Sequence, residues 1–215
     1  MLGRAFRYSQ REFRKWRLAR QLARESGYSF TSDYVSQNES HWTLLLKEYR
    51  GRPEVRLLEI GSYEGRSAIW FLDNILTHPT ASIVCVDFFT AWRLNMRFDH
   101  NIRVSGRSGQ VTKLKGHSDA ILCTLPLDHF DIIYIDGSHQ AADVLMDAVL
   151  AWHRTKPGGI IIFDDYLWAP GTPPADRPQM AIDFFLELFQ GRYQLLWKRY
   201  QVAIRKPASA LPPRQ

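Results

Sequence analysis

The chain has little cysteine, no long apolar run, and almost no acid near its start. No stretch approaches the roughly 20 apolar residues that a membrane-spanning helix needs. The basic N-terminus is not followed by an apolar segment, so it does not read as a secretory signal. The two cysteines, Cys85 and Cys123, sit in apolar stretches at no metal-ligand spacing. They are read as buried thiols of a reducing compartment, with the cytoplasm as the expected location. No internal repeat is visible. With 215 residues and 45% hydrophobic content, the chain suits one substantial core with appendages.

The charge is concentrated at one end. Residues 1–24 hold eight Arg and Lys against Glu12 alone, which leaves the rest of the chain close to neutral within a net +6. Residues 2–26 read as one helix, with Phe6, Phe13, Trp16, Ala19 and Ala23 at near-helical spacing and Arg4, Arg7, Arg11 and Lys15 on another side. Such a helix suits packing on the body or on a second copy, and its charge also suits an anionic membrane or nucleic acid. From residue 55 the pattern changes to short apolar runs alternating with helical stretches, as in a parallel sheet covered on both faces. Strands are expected at 55–60, 82–87, 111–115, 130–135 and 159–164, with helices at 65–77, 93–105, 118–124, 140–155 and 177–190. Residues 193–198 and 200–205 follow each other too closely for a crossover and predict an antiparallel hairpin. The expected fold is α/β, a Rossmann-like, doubly wound, mostly parallel seven-stranded sheet ending in that hairpin. Its expected parts are a basic helix (1–27), a substrate-side cap segment (28–54), the main domain (55–206) and a loose tail (207–215).

Within the segment LEIGSYEGRSAIWFL, Gly61 lets the chain leave a strand tightly and Gly65 lets a helix start approach a ligand. A dinucleotide fingerprint needs glycine at 61, 63 and 66, and Tyr63 and Arg66 stand at the last two, which argues against a pyrophosphate cradle. Glu59 suits a cationic ligand better than a phosphate. Asp87 closes the second strand, where an acid can take both hydroxyls of a ribose. Further on, Asp136 ends the fourth strand, and Asp164 and Asp165 end the fifth. In a parallel sheet these ends neighbour one another, so three carboxylates converge, and an all-oxygen set favours magnesium or manganese over zinc.

The glycine turn and the acid after it resemble the first motifs of class I S-adenosylmethionine-dependent methyltransferases. By that resemblance Glu59, Gly61 and Gly65 line the methionine part, with Ser62 and Tyr63 in the loop between. Asp87 would take the ribose, His117 and Ser118 the adenine, and Asp136 borders the cofactor. The segment DIIYIDGSHQAADVLMDAVLAWHRTKPGGIIIFDDY resembles the metal-dependent O-methyltransferase group that includes macrocin O-methyltransferase. The resemblance implies that Asp136, Asp164 and Asp165 bind Mg2+ (or Mn2+) and that His139 is the base. The implied acceptor is a hydroxyl of a small-molecule diol, sugar or catechol-like, and a homo-oligomer is open. The rivals are a nucleic-acid or other metal-free methyltransferase and a non-catalytic scaffold. An Asp-Gly-Ser-His run, where base-methylating enzymes carry an Asn/Asp-Pro-Pro-aromatic motif, argues against nucleic acid, and the converging acids argue against a scaffold.

Overall fold

The structure is a computed structural model that describes residues 2–208, with the side chains of residues 12–21 and 24–208. Five strands run parallel: β1 (Arg56–Ile60), β2 (Ser82–Asp87), β3 (Val111–Lys115), β4 (Phe130–Ile135) and β5 (Thr155–Phe163). The hairpin β6 (Gln194–Lys198) and β7 (Val202–Arg205) completes one seven-stranded sheet in the order β3-β2-β1-β4-β5-β7-β6. Strand β7 lies antiparallel to β5, as the short connection between the last two strands requires. The chain winds outward from β1 to β3 and then returns to start β4 on the other side of β1. Ligands bind at such a reversal, in the crevice beyond the carboxyl ends of the strands.

Alternation along each strand feeds two cores. Leu57, Ile83, Ile132 and Ile160 face one side and Leu58, Ile133 and Ile161 the other. The first side is covered by α1 (Leu2–Ser26), α2 (Glu39–Leu45), α3 (Arg66–Asn74) and α4 (Trp92–Val104), through Ala19, Trp42, Phe71 and Phe98. The second is covered by α5 (Ser118–Thr124), α6 (Ala141–Arg154) and α7 (Pro178–Leu188), through Leu122, Ala148 and Phe185. Among the described residues no helix is long and apolar enough to cross a membrane.

Three expectations need correction. Cys85 is buried, but Cys123 is exposed, because it lies one position past Leu122, the residue that α5 turns inward. On α1, Ala19 is fully buried, whereas Phe13 and Trp16 stand in solvent, their rings stacked on each other at 5.6 Å. The side chains of Phe6 and Ala23, from the same expected stripe, lie outside the described residues. Strand β5 begins at Thr155, directly after α6, four residues before the expected start. Its early part passes through Pro157 with a register shift opposite β4, and Gly158 N–H finds its acceptor in Lys206 O at 2.9 Å. The cap segment carries a helix, α2, whose Trp42 is fully buried.

Candidate active site

At the reversal the ends of β1 and β4 almost touch. Asp136 N–H donates to Ile60 O at 2.8 Å and Gly61 N–H to Val86 O at 2.8 Å. A Cβ on Gly61 would lie 2.0 Å from Asp136 O, and its φ of 88° is left-handed, so this position admits only glycine. Tyr63, standing where a dinucleotide fingerprint would need glycine, takes φ 47° and leaves its ring exposed. Asp87 holds that conformation: its Oδ2 accepts Ser62 N–H at 3.0 Å and Tyr63 N–H at 2.8 Å, and its Oδ1 accepts Phe89 N–H at 3.2 Å. Gly65, also at positive φ, opens α3 against the Phe98 ring. The loop from Ser62 to Gly65 is therefore set by the acid of the neighbouring strand.

Beneath this loop Glu59 is fully buried, and neither carboxylate oxygen has a partner at hydrogen-bonding geometry. Burial pushes its carboxyl up to about 7, with Ser62, Ser67 and Cys85 near enough to temper the rise. Glu64, missed in the sequence, is buried as well but well partnered. It accepts from Thr31 N–H (2.6 Å), Thr31 Oγ1 (2.9 Å) and Arg97 Nη1 (2.8 Å). Asn101, fully buried, donates to Glu64 O at 2.8 Å and accepts Ser29 N–H at 2.7 Å. The cap segment and α4 are thereby tied to the glycine loop.

At the ends of β4 and β5 the acids separate into two hydrogen-bonded sets. In one, the Tyr134 hydroxyl lies between Asp136 Oδ2, at 3.1 Å, and Asp164 Oδ2. Gln201 Nε2 also donates to Asp164 Oδ2, at 2.8 Å, and Asp165 N–H donates to Asp164 Oδ1 at 2.7 Å. In the other, Asp165 Oδ2 meets His139 Nε2 at 2.7 Å and Asp165 Oδ1 accepts from the Tyr200 hydroxyl at 2.7 Å. The His139 ring stacks on Trp168, centroids 4.3 Å apart. Asp136, Asp164, Asp165 and His139 line one cleft with Ser138 and Pro178.

Burial, and then the charges of Asp164 and Asp165, hold the Asp136 carboxyl well above the usual carboxylate range. Burial and Asp165 push Asp164 up to about 6. Carboxylates that repel in this way are the donor chemistry that a hard divalent cation relieves. Among the described residues, however, no group of three or more His, Cys, Asp or Glu side chains is arranged to hold a metal ion. The side chain of Asp165 is engaged by His139 and Tyr200, whereas Asp136 and Asp164 share Tyr134.

The remaining expected site residues lie farther along the same edge. His117 is exposed, precedes α5, and meets the edge of the Phe88 ring at 4.6 Å. Ser118 turns toward Asp147, where its hydroxyl tempers the rise to about 6 that burial imposes on that carboxyl. Tyr134 could have been found in the sequence: two residues before Asp136, it shares that residue's face of the strand. The contact between Trp42 and Gln201 carried no local signal, since it spans 159 positions.

A parallel sheet with a reversal, a glycine turn tied to the acid of β2, and acids at the ends of β4 and β5 define a Rossmann-like α/β protein with its ligand site at the reversal. Residues 58–166 match the family described as "Methyltransferase domain", and the chain belongs to that family. It is 29% identical over 133 residues to an uncharacterized protein of Acanthamoeba polyphaga mimivirus, covering 58% of each chain, so it spans under two thirds of that relative's length. The fold is similar to that of the O-methyltransferase TomG from Streptomyces achromogenes, solved with S-adenosylmethionine (TM-score 0.66, 19% identity, 90% of this chain and 89% of that one). It is also similar to that of an O-methyltransferase from Bacillus cereus, solved with S-adenosylhomocysteine (TM-score 0.64, 18% identity, 89% and 90%). At these identities the likeness establishes the fold.

Proposed function

We propose that this methyltransferase takes S-adenosylmethionine and transfers its methyl group to a hydroxyl of a small-molecule diol, sugar-like or catechol-like, with Mg2+ (or Mn2+) at the ends of β4 and β5. The observation that carries this reading is the meeting of Asp136, Asp164, Asp165 and His139 at one cleft beside the reversal. The cofactor reading is supported by the glycine loop and by structural relatives solved with S-adenosylmethionine or S-adenosylhomocysteine. In it Glu59, Gly61, Ser62, Tyr63 and Gly65 attend the methionine part, Asp87 the ribose, and His117 and Ser118 the adenine, with Asp136 alongside.

Asp136, Asp164 and Asp165 would hold the ion, which would supply a Lewis acid that makes an acceptor hydroxyl easier to deprotonate. His139 takes the departing proton. Its Nε2 faces the Asp165 carboxylate at 2.7 Å, a contact that fixes the ring's orientation. Stacking on Trp168 holds the ring plane, and the Tyr200 hydroxyl holds Asp165 from its other oxygen. Loops over the strand ends, at 29–42, 88–97 and 166–178, would choose the acceptor.

The test is a manganese titration followed by electron paramagnetic resonance with S-adenosylhomocysteine present, on the native chain and on Asp136→Asn. Binding that weakens in the variant and is competed by magnesium is expected. Absence of binding in both would overturn the metal reading and leave acids that serve structure.

A further inference from the structure

The helix α1 is fastened to the body along one side and left bare along another. Ala19 is fully buried, and Lys15 Nζ pairs with Glu12 at 2.9 Å while sitting 4.2 Å from the centre of the Tyr34 ring. At 3.6 residues per turn, Phe13, Trp16, Arg17, Arg20 and Arg24 fall within about 100° of arc, turned away from Lys15. All five are exposed, Phe13 by 59% and Trp16 by 42%. Neither acid of the helix stands in that arc: Glu12 is held by Lys15, and Glu25 accepts from Gln21 Nε2 at 2.9 Å. Among the described residues no carboxylate pairs with Arg17, Arg20 or Arg24. The helix continues back to Leu2, where its sequence adds Arg4, Arg7 and Arg11 and no acid.

This arc offers two things at once, unmatched positive charge and two large rings in water. A partner that satisfies both must be negative at its surface and apolar just beneath it. A bilayer with anionic headgroups has that layering, and basic helices with Trp and Phe lie in its plane. Nucleic acid answers only the charge, because its bases need an open ring face on which to stack. Here Phe13, one turn before, stacks on Trp16 with planes at 28°, and Arg20, one turn after, lies over the same ring at 4.7 Å. A second copy fits worse still. Pairing the arc with itself sets arginines against arginines with no acid between them.

We infer that the outer side of α1 is a docking surface for an anionic lipid membrane. Phe13 and Trp16 enter the headgroup layer, and Arg17, Arg20 and Arg24 meet the lipid phosphates and carboxylates around them. The helix lies on the membrane and does not cross it. Such docking requires neither the ion nor the acceptor of the proposed reaction.

The experiment is co-sedimentation of the whole chain with vesicles, either of phosphatidylcholine alone or of phosphatidylcholine with about one third phosphatidylserine. Binding to the second and not to the first is expected, with release as salt rises from about 0.1 M to about 0.5 M. Two variants divide the arc: Arg17→Gln with Arg20→Gln and Arg24→Gln, and Phe13→Ala with Trp16→Ala. The first should lose roughly 100-fold in affinity, at about fivefold for each arginine. The second should lose at least about tenfold. A control, Arg50→Gln with Arg52→Gln and Arg199→Gln, removes equal charge from exposed positions outside α1 and should stay within about twofold. Every substituted side chain is exposed, so all three variants should melt where the native chain does. Equal binding to the two kinds of vesicle overturns the inference, and so does no binding to either. Native affinity in either α1 variant, or a control that weakens as much as the arginine variant, also overturns it. A mixed-sequence RNA or DNA strand that binds more tightly than the vesicles at the same salt, read by fluorescence anisotropy, overturns it in favour of nucleic acid.

Discussion

Replacing Glu59 with glutamine removes an ionisable group from the buried acid beneath the glycine loop, and the consequence can be worked from its surroundings. The residue is fully buried with no hydrogen-bond partner on either oxygen, and its carboxyl is pushed from the ordinary 4.5 up to about 7. Between those two values the folded chain keeps a proton that the unfolded chain has released. Stability therefore falls as pH rises through that window and levels off above it. At about 1.4 kcal/mol per pH unit, the loss attributable to this one group is about 3 kcal/mol. Glu59→Gln carries no titrating proton there, so its own stability curve lacks that part of the slope. Burying an amide in the same place has a cost too, but that cost is independent of pH and enters as a constant offset. Asp147 and Asp164, each pushed up to about 6, contribute equally to both proteins and cancel in the difference. Urea unfolding from about pH 5 to about pH 8.5 is the assay. The stability of the variant relative to the native chain should rise by about 3 kcal/mol across that range. A difference that stays constant with pH would refute the argument. If S-adenosylmethionine binds as proposed, its positive charge favours the ionised Glu59. Binding near pH 6.5 should then release protons, visible as a dependence of the binding heat on the buffer's ionisation enthalpy.

His139→Ala should keep cofactor and manganese binding and lower the single-turnover methyl transfer rate by about 10²- to 10⁴-fold; an unchanged rate would remove the base role. Gly61→Ala puts a Cβ 2.0 Å from Asp136 O, at a left-handed φ, and should weaken S-adenosylhomocysteine binding at least about tenfold by calorimetry as the loop shifts. Binding at native strength would mean that β1 and β4 can part without cost.

The parts of the site that were legible in the sequence are those whose geometry is local. A strand's period of two and a turn's need for glycine act over a few residues, so Gly61, Asp87, Asp136, Asp164 and Asp165 could be placed at strand ends before any contact was known. The hairpin was legible for the same reason, because a three-residue link between β6 and β7 allows little else. Phe13 and Trp16 mark where this kind of reasoning runs out. Helical spacing gathers them on one side of α1, but spacing cannot say whether the body offers that side anything to pack on, and in the structure Ala19 meets the body instead. Cys123 makes the same point on a single turn, where a shift of one residue from Leu122 exchanges core for solvent.

What the sequence concealed about the acids is their division of work. Three carboxylates on two neighbouring strand ends read as one cluster, because strand ends are close and the side chains are alike. Which oxygen faces which partner depends on groups brought in from residues 42, 134, 200 and 201, and three of those four lie outside the family match at 58–166. Trp42 and Gln201 hold the pair of Asp136 and Asp164 from below, whereas Tyr200 and His139 hold Asp165 to one side. The matched residues hold the acids themselves, and their directions are set jointly by Tyr134 and His139 inside the match and by Tyr200 and Gln201 outside it. A change at Gln201 or Trp42 should therefore alter the direction of the Asp164 carboxylate, although neither residue contributes a charge to the cleft.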